Sequence, residues 1–322
     1  MIRCAIAGLG RIGSTLEDDT KREKPASHAG AISEHPQCTI VAGCDRESEK
    51  CNDFSQRWNC KRTYVDFGDM LTENDIDILH IATPPETHKH FLTAAIAHNI
   101  PVIICEKPVA DNLDDAIAMR KAAESSNSRV IINHERRYSL DYRHTRKLIR
   151  YGTYGSLLSI TARVYMGKHR PVNKVLLEDG THMLDCLYFL ADRDIELTYV
   201  DGNFHSKNAS VFAFMDAEGV PIILEVGSSR DHILFELDCS FERGRVRVGN
   251  GLYEEYESKP SPFYDDMLSL LPIDVSFTKT EYFRRMFAEA VELFKGNIDT
   301  VTSSLDDGIK VMKLIDEISK GF

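Results

Sequence analysis

Short apolar runs recur along residues 1–133, and each is followed by a polar turn and a segment of helical period. Ile2–Ala7, Thr39–Cys44, Ile76–Ala82, Pro101–Cys105 and Arg129–Asn133 are apolar with little alternation, the pattern of strands buried on both faces. Between them, Glu47–Arg57, the set His88, Phe91, Leu92, Ala95 and Ile96, and the alanine-rich Asn112–Ser125 have helical spacing. Regular alternation of this kind predicts an α/β fold built on a parallel, doubly wound sheet. One stretch breaks the rhythm. Glu17–Pro25 is charged, ends in Lys24-Pro25, and interrupts a first helix that resumes at Ser27–Ala31.

After His134-Glu135-Arg136-Arg137-Tyr138 the pattern changes. Helices are expected at Tyr142–Tyr151, Thr181–Leu190, Glu281–Lys295 and Ser304–Ser319, and a turn at Gly152–Gly155. Strands are expected at Leu157–Tyr165, Leu197–Asp201, Ala209–Met215, Pro221–Ser228, Ile233–Cys239 and Gly244–Val248. The expectation is two domains. Residues 1–133 form a dinucleotide-binding unit, and residues 134–322 an α+β unit with a mostly antiparallel open sheet. The outer face of such a sheet needs covering, often by another subunit.

Composition narrows the function. The 322 residues suffice for two domains, and 43% hydrophobic with 28% charged residues is an ordinary soluble balance. A net charge of −11 argues against nucleic acid or an anionic membrane as partner. No apolar run suits a bilayer span, and the first residues lack a signal-peptide pattern. The 8 cysteines are scattered, without CxxC pairs or zinc-type spacing, so reduced thiols in the cytoplasm and no metal are expected.

The candidate chemistry starts at Gly8-Leu9-Gly10-Arg11-Ile12-Gly13, a GxGxxG loop set directly after a strand. Its glycines permit a tight turn, approach of backbone to a pyrophosphate, and close helix–strand packing. Asp45 ends the second strand, where an acid holds adenosine ribose hydroxyls. Arg46 beside it could stack on adenine or help accept NADP, and NAD is preferred. Asp45 could instead cap the following helix. Thr83-Pro84-Pro85 stiffens the end of another strand. His88 beyond it either approaches the cofactor or caps its helix. Pro101–Cys105 leads to Glu106-Lys107-Pro108, which sets Lys107 at the carboxyl end of a strand, where open α/β sheets bind ligands. Glu178, Asp179, His182 and Asp185 crowd into eight positions. They read either as a general base tuned by carboxylates or as an ordinary helix start. The loop Met166–Pro171 carries His169 and Arg170. It suits a substrate carboxylate or phosphate, or is a solvated surface loop.

Taken in order, the glycine loop, Thr83-Pro84 with His88, Glu106-Lys107-Pro108, Arg137-Tyr138, Asp179-Gly180-Thr181-His182 and Ser303–Gly308 resemble the glucose–fructose oxidoreductase / inositol dehydrogenase / rhizopine catabolism (Gfo/Idh/MocA) family. The resemblance covers nearly the whole chain. It implies a Rossmann domain followed by an α+β domain with a large, mostly antiparallel open sheet. It further implies NAD(P)-dependent hydride transfer at a hydroxyl of a sugar, cyclitol or related polyol, by dimers or tetramers. By position it makes Lys107 and His182 the catalytic pair. Asp179 is the favoured carboxylate partner and Glu178 the alternative, because the family's usual aspartate position is a glutamate here. It also groups Glu106 and Lys107 with the cofactor, and Lys107, Arg137, Asp179 and His182 with the substrate. Other readings of the same pattern are an NAD-recycling glycosidase or lyase, a non-catalytic NAD-sensing regulator, and a flavin protein.

Overall fold

The computed structural model describes residues 1–168, 170–202 and 210–320. By its contacts the chain divides into two compact units, one of Met1–Ser139 with Glu281–Met312, the other of Leu140–Thr280 with Lys313–Phe322.

The first unit opens with β1 (Ile2–Ala7), α1 (His28–Glu34), β2 (Cys38–Cys44), α2 (Ser48–Trp58), β3 (Thr63–Tyr64), α3 (Phe67–Glu73), β4 (Ile78–Ile81), α4 (Pro85–Ala97), β5 (Val102–Cys105), α5 (Leu113–Glu124) and β6 (Arg129–Ile132). All pairs are parallel, in the order β3-β2-β1-β4-β5-β6. This is the doubly wound order whose direction reverses beside β1, so the loops after β1 and β4 border the ligand crevice. The alternation of strand and helix predicts this sheet. It does not reveal β3 and α3, because a two-residue edge strand carries no period.

The charged insertion has a specific architecture. Ser27 caps α1, its hydroxyl accepting the Gly30 N–H at 3.0 Å. The His28 N–H donates to the Ile12 carbonyl and the Ala29 N–H to that of Gly13. In an uninterrupted helix residues 16 and 17 would make these bonds. The glycine loop and α1 therefore form one helix through space, with an excursion of 12 residues spliced into its first turn. Without those 12 residues the 32-residue spacing from Gly13 to Asp45 becomes 20, the ordinary separation of about 20 for a glycine loop and its ribose acid. The excursion is self-supporting. Glu17 accepts from the Ala26 N–H and the Ser27 hydroxyl, and Lys24 Nζ donates to the carbonyls of Glu17 and Asp19.

The second unit holds α6 (Leu140–Arg150), β7 (Leu157–Met166), α7 (Val172–Val175), a π-turn Leu176–Gly180, α8 (Thr181–Ala191) and strands β8 (Glu196–Asp201), β9 (Ser210–Ala217), β10 (Val220–Gly227), β11 (Ile233–Phe241), β12 (Gly244–Gly249), β13 (Leu252–Pro260) and β14 (Leu268–Ile273). The eight strands run β14-β13-β12-β11-β7-β10-β9-β8, antiparallel except for β7 with β10. One face buries Val246, Val248, Leu224 and Leu237. The other carries a row of alternating charge, Glu225–Arg163–Glu236–Arg247–Glu254, with N···O distances of 3.9, 3.4, 2.6 and 2.7 Å.

The chain then returns to the first unit through α9 (Tyr282–Phe294) and the opening of α10 (Leu305–Lys320). Residues 281–312, expected within the second domain, thus pack with the first. Alternate strand residues fill two cores. Ile6, Ile78, Val102, Ile104 and Ile131 meet α1, α2 and the Phe283–Phe287 face of α9. Ala7, Leu79, Ile103 and Ile132 meet α4, α5 and Ile309.

Candidate active site

The glycine loop is shaped by its surroundings. Gly8 has φ +92°, and a Cβ there would lie 2.5 Å from the Ala82 carbonyl. A Cβ on Gly13 would lie 2.0 Å from the Gly8 oxygen. Gly10 differs, because a Cβ there would meet no protein atom within 4 Å. Packing does not require glycine at position 10; open space for a ligand backbone does. Beside it lies a cavity of about 370 Å³ lined by Gly10, Asp45, Arg46, Lys50, Thr83 and Pro84, among others. Asp45 faces the loop through both oxygens, accepting the Leu9 N–H at 2.9 Å and the Glu47 N–H at 3.1 Å. The N-cap position of α2 falls to Glu47, so Asp45 is not that helix's cap. Arg11 is exposed, and Ile12 packs against the α1-side core. These residues fit a dinucleotide: open space at Gly10 for a pyrophosphate, and a carboxylate at the ribose position. Gly10→Ala is expected to leave the melting temperature unchanged and weaken NAD binding by at least about tenfold, ~1.4 kcal/mol. Unchanged affinity in calorimetric titration would remove the loop from the cofactor site.

His88 takes neither expected role. It is fully buried, with Nδ1 3.0 Å from the Pro108 carbonyl and Nε2 2.8 Å from the Thr83 carbonyl. It ties the ends of β4 and β5 together beneath the crevice. Half-buried Lys107 lies two residues beyond the end of β5. Glu106 is 8% exposed, and its Oε1 accepts from Asn133 Nδ2 at 2.6 Å and from His28 Nε2 at 2.9 Å. Burial pushes its carboxyl up. The His28 and Asn133 hydrogen bonds and the Lys107 charge outweigh that and hold it below the usual range.

Arg137 is buried. It was expected at the substrate, but it is 5% exposed and pairs with Asp307 at 3.0 Å while donating to the Thr302 carbonyl at 3.0 Å. Its arginine head joins the turn after β6 to the start of α10.

In the second unit the acidic cluster is not a helix start. Helical backbone runs from α7 through the π-turn into α8, and Gly180 is right-handed helical with no side-chain cap. Glu178 and Asp179 both lie in the π-turn, a geometry that recurs at functional sites. His182 stands one turn on, half-buried. Arg170 bridges both acids, with Nη1 2.7 Å from Asp179 and Nη2 on Glu178. It is therefore a partner of the acidic cluster, not an open anion site. His169 lies outside the described residues.

Sequence reasoning did not single out His28 and His80, both fully buried, the first on Glu106 and the second on His28. The available signal was a lone histidine inside the apolar run Ile78–Ile81.

Comparison with known proteins agrees with this fold and loop. Residues 2–134 match the model described as oxidoreductase family, NAD-binding Rossmann fold. That model is the Gfo/Idh/MocA family's, and its match covers the dinucleotide-binding sheet of this chain. Inositol 2-dehydrogenase of Salmonella typhimurium is 25% identical over 237 residues, 70% of this chain and 67% of that one. D-apiose dehydrogenase of Rhizobium rhizogenes is 27% identical over 116 residues, 36% of this chain and 33% of that one. The crystal structure of a dehydrogenase from Chromobacterium violaceum shares the fold with a TM-score of 0.81 at 15% identity, covering 99% of this chain and 95% of that one. No helix among the described residues is long and apolar enough to cross a membrane.

Proposed function

We propose that this oxidoreductase oxidises a secondary hydroxyl of a neutral polyol, sugar or cyclitol. The observation that carries the proposal is the Asp45-lined cavity beside Gly10, in the sheet whose β5 delivers Lys107. NAD, when bound, supplies the hydride acceptor. Asp45 favours NAD over NADP, because a carboxylate repels a 2′-phosphate. His182 takes the hydroxyl proton as general base. The Lys107 ammonium donates to the same oxygen and stabilises the negative charge that develops there. Asp179 orients His182: it precedes it by three residues on helical backbone, and its side chain is 20% exposed against 48% for Glu178.

Neutrality of the substrate is supported by Arg170. One guanidinium shared by two carboxylates leaves that cluster with net negative charge, which disfavours an acidic substrate. The names of the two relatives, an inositol and an apiose dehydrogenase, are of the same chemical kind. A second copy of the chain covering the charged row of the eight-stranded sheet is part of the proposal, and a monomer in light scattering would remove that part.

The test is a panel of polyols, cyclitols, aldonates, uronates and sugar nucleotides with NAD and NADP, read by absorbance of reduced cofactor. Cofactor retained from purification is released and measured first. Neutral substrates with NAD are expected to exceed their acidic counterparts by at least about tenfold in kcat/KM, ~1.4 kcal/mol. An acidic preference would overturn the neutral reading. Substrate conversion without net reduced cofactor would replace dehydrogenation by cofactor recycling.

A further inference from the structure

Behind Glu106 runs a buried hydrogen-bond chain with no evident packing purpose. His28 Nε2 lies 2.9 Å from Glu106 Oε1, and His28 Nδ1 lies 2.8 Å from His80 Nδ1. Both rings are fully buried. Phe283 stands edge-on to His28 at 5.3 Å, and Phe287 is tilted against His80 at 5.4 Å. His80 occupies a β4 position between Leu79 and Ile81, on the side where Ile78 joins the α1-side core. An aliphatic residue would fill that position without bringing polar atoms into it.

With the His28 ring neutral, the contacts fix the protons. A carboxylate only accepts, so His28 Nε2 carries hydrogen. In a neutral ring Nδ1 is then the acceptor, so His80 Nδ1 carries hydrogen and His80 Nε2 is bare. Among the described residues His80 Nε2 is a buried atom with no hydrogen-bond partner. The atom without a partner is thus the one without a proton. Burial holds His80 well below the usual histidine range, which keeps its ring neutral. The groups facing this chain are Asn133 beyond β6, Lys107 and Glu135 by charge at Glu106, and the two phenylalanine rings from α9. The excursion is compatible with this arrangement, because α1 restarts on the Ile12 and Gly13 carbonyls with His28 in its first turn.

We propose that His28 and His80 are positioning residues, a buried relay that fixes the Glu106 carboxylate and thereby the exit of Lys107 from the end of β5. Successive residues of an extended chain project to opposite sides. Pinning Glu106 toward α1 sets the peptide plane from which Lys107 leaves, and places a fixed negative charge beside its ammonium. The inference rests on the proposed role of Lys107 in the reaction.

Two measurements test it. In protein labelled with nitrogen-15 histidine, His80 is expected as the Nδ1–H tautomer, the minor form of free imidazole, and His28 as the Nε2–H tautomer. An Nε2–H signal for His80 would overturn the relay without any activity assay. In kinetics, His80→Leu is expected to lower kcat about tenfold, the size of one lost hydrogen bond in a charged network, while NAD affinity and melting temperature hold. His80→Asn, which keeps an N–H donor, is expected to recover most of that loss. A purely structural histidine would give the reverse order, with leucine at least as active as asparagine. If His80→Leu does not fold, the asparagine variant and the tautomers decide. Full activity of Lys107→Ala would defeat the proposed function itself. Loss of activity in Lys107→Ala with full activity in His80→Leu would defeat the relay alone.

Discussion

Lys107→Ala and His182→Ala are each expected to lower turnover by about 10²–10⁴-fold while NAD affinity stays within about twofold of the unaltered protein. The reasoning is differential binding. A group that acts on charge or protons moving only in the transition state lowers kcat when removed, whereas a group that holds substrate equally before and during reaction raises KM. Lys107 is proposed to meet an oxygen that becomes negative as its proton leaves, and His182 to take that proton. Neither lines the Asp45 cavity, so cofactor binding is a built-in control. The two losses should not add if, as proposed, the groups serve one oxygen in one step. A double variant as impaired as the worse single variant is the expected result. Single variants near full turnover would remove these residues from the chemistry, and raised KM with intact kcat would reassign them to substrate binding.

Legibility of the chain in its sequence depended on how far apart the interacting residues lie. The first sheet was readable because each strand is apolar on both faces and each helix repeats locally. The insertion was visible as a charged break, but its length was underestimated. Only the bonds from His28 and Ala29 to Ile12 and Gly13 reveal where the helix resumes. β13 was missed because Tyr253, Glu254, Glu255, Tyr256 and Glu257 read as polar, although Glu255 is buried and accepts from Tyr253 and Tyr154. β14 was missed because Pro272 sits within it, which sheets accept on an edge strand, the position it holds. The helix was expected to start at Thr181, yet Gly180 before it continues a helix through a π-turn that no local pattern announces. At the site, motifs flagged Lys107, Asp45 and the acidic cluster. The His80–His28 contact joins residues 52 positions apart, and one polar residue in an apolar run does not name its partner. The basic loop and acidic cluster were each legible; their union through Arg170 was not.

Asp307→Asn is expected to destabilise the first unit by about 1–3 kcal/mol, the usual result of weakening charge-assisted hydrogen bonds, here those of the carboxylate with Arg137 and Ser304. Arg137 is 5% exposed, and the carboxylate is its charged partner in that ion pair. Asp307 also closes the start of α10 reciprocally: it accepts from the Ser304 N–H and hydroxyl at 2.8 and 2.7 Å, and its own N–H donates to Ser304 Oγ. Burial pushes the Asp307 carboxyl up. The Arg137 charge and the Ser304 and Arg137 hydrogen bonds outweigh it and hold it below the usual 3.8. A carboxyl lowered in this way contributes its stability fully above the usual value and loses it as pH falls through its own lower value. The gap between Asp307→Asn and the unaltered protein should therefore be widest near neutrality and close below pH 3.8. Trp58, the single tryptophan, lies in the first unit and donates to Ser14 Oγ at 2.8 Å, so its fluorescence in urea follows that unit. A single variant as stable as the unaltered protein, or a gap that widens in acid, would show that the pair does not hold the turn after β6 against α10. That turn carries Glu135 and Arg136, two of the charges whose fields act with Lys107. The ion pair at Arg137 thus supports the site from behind, although its sequence motif suggested a substrate contact.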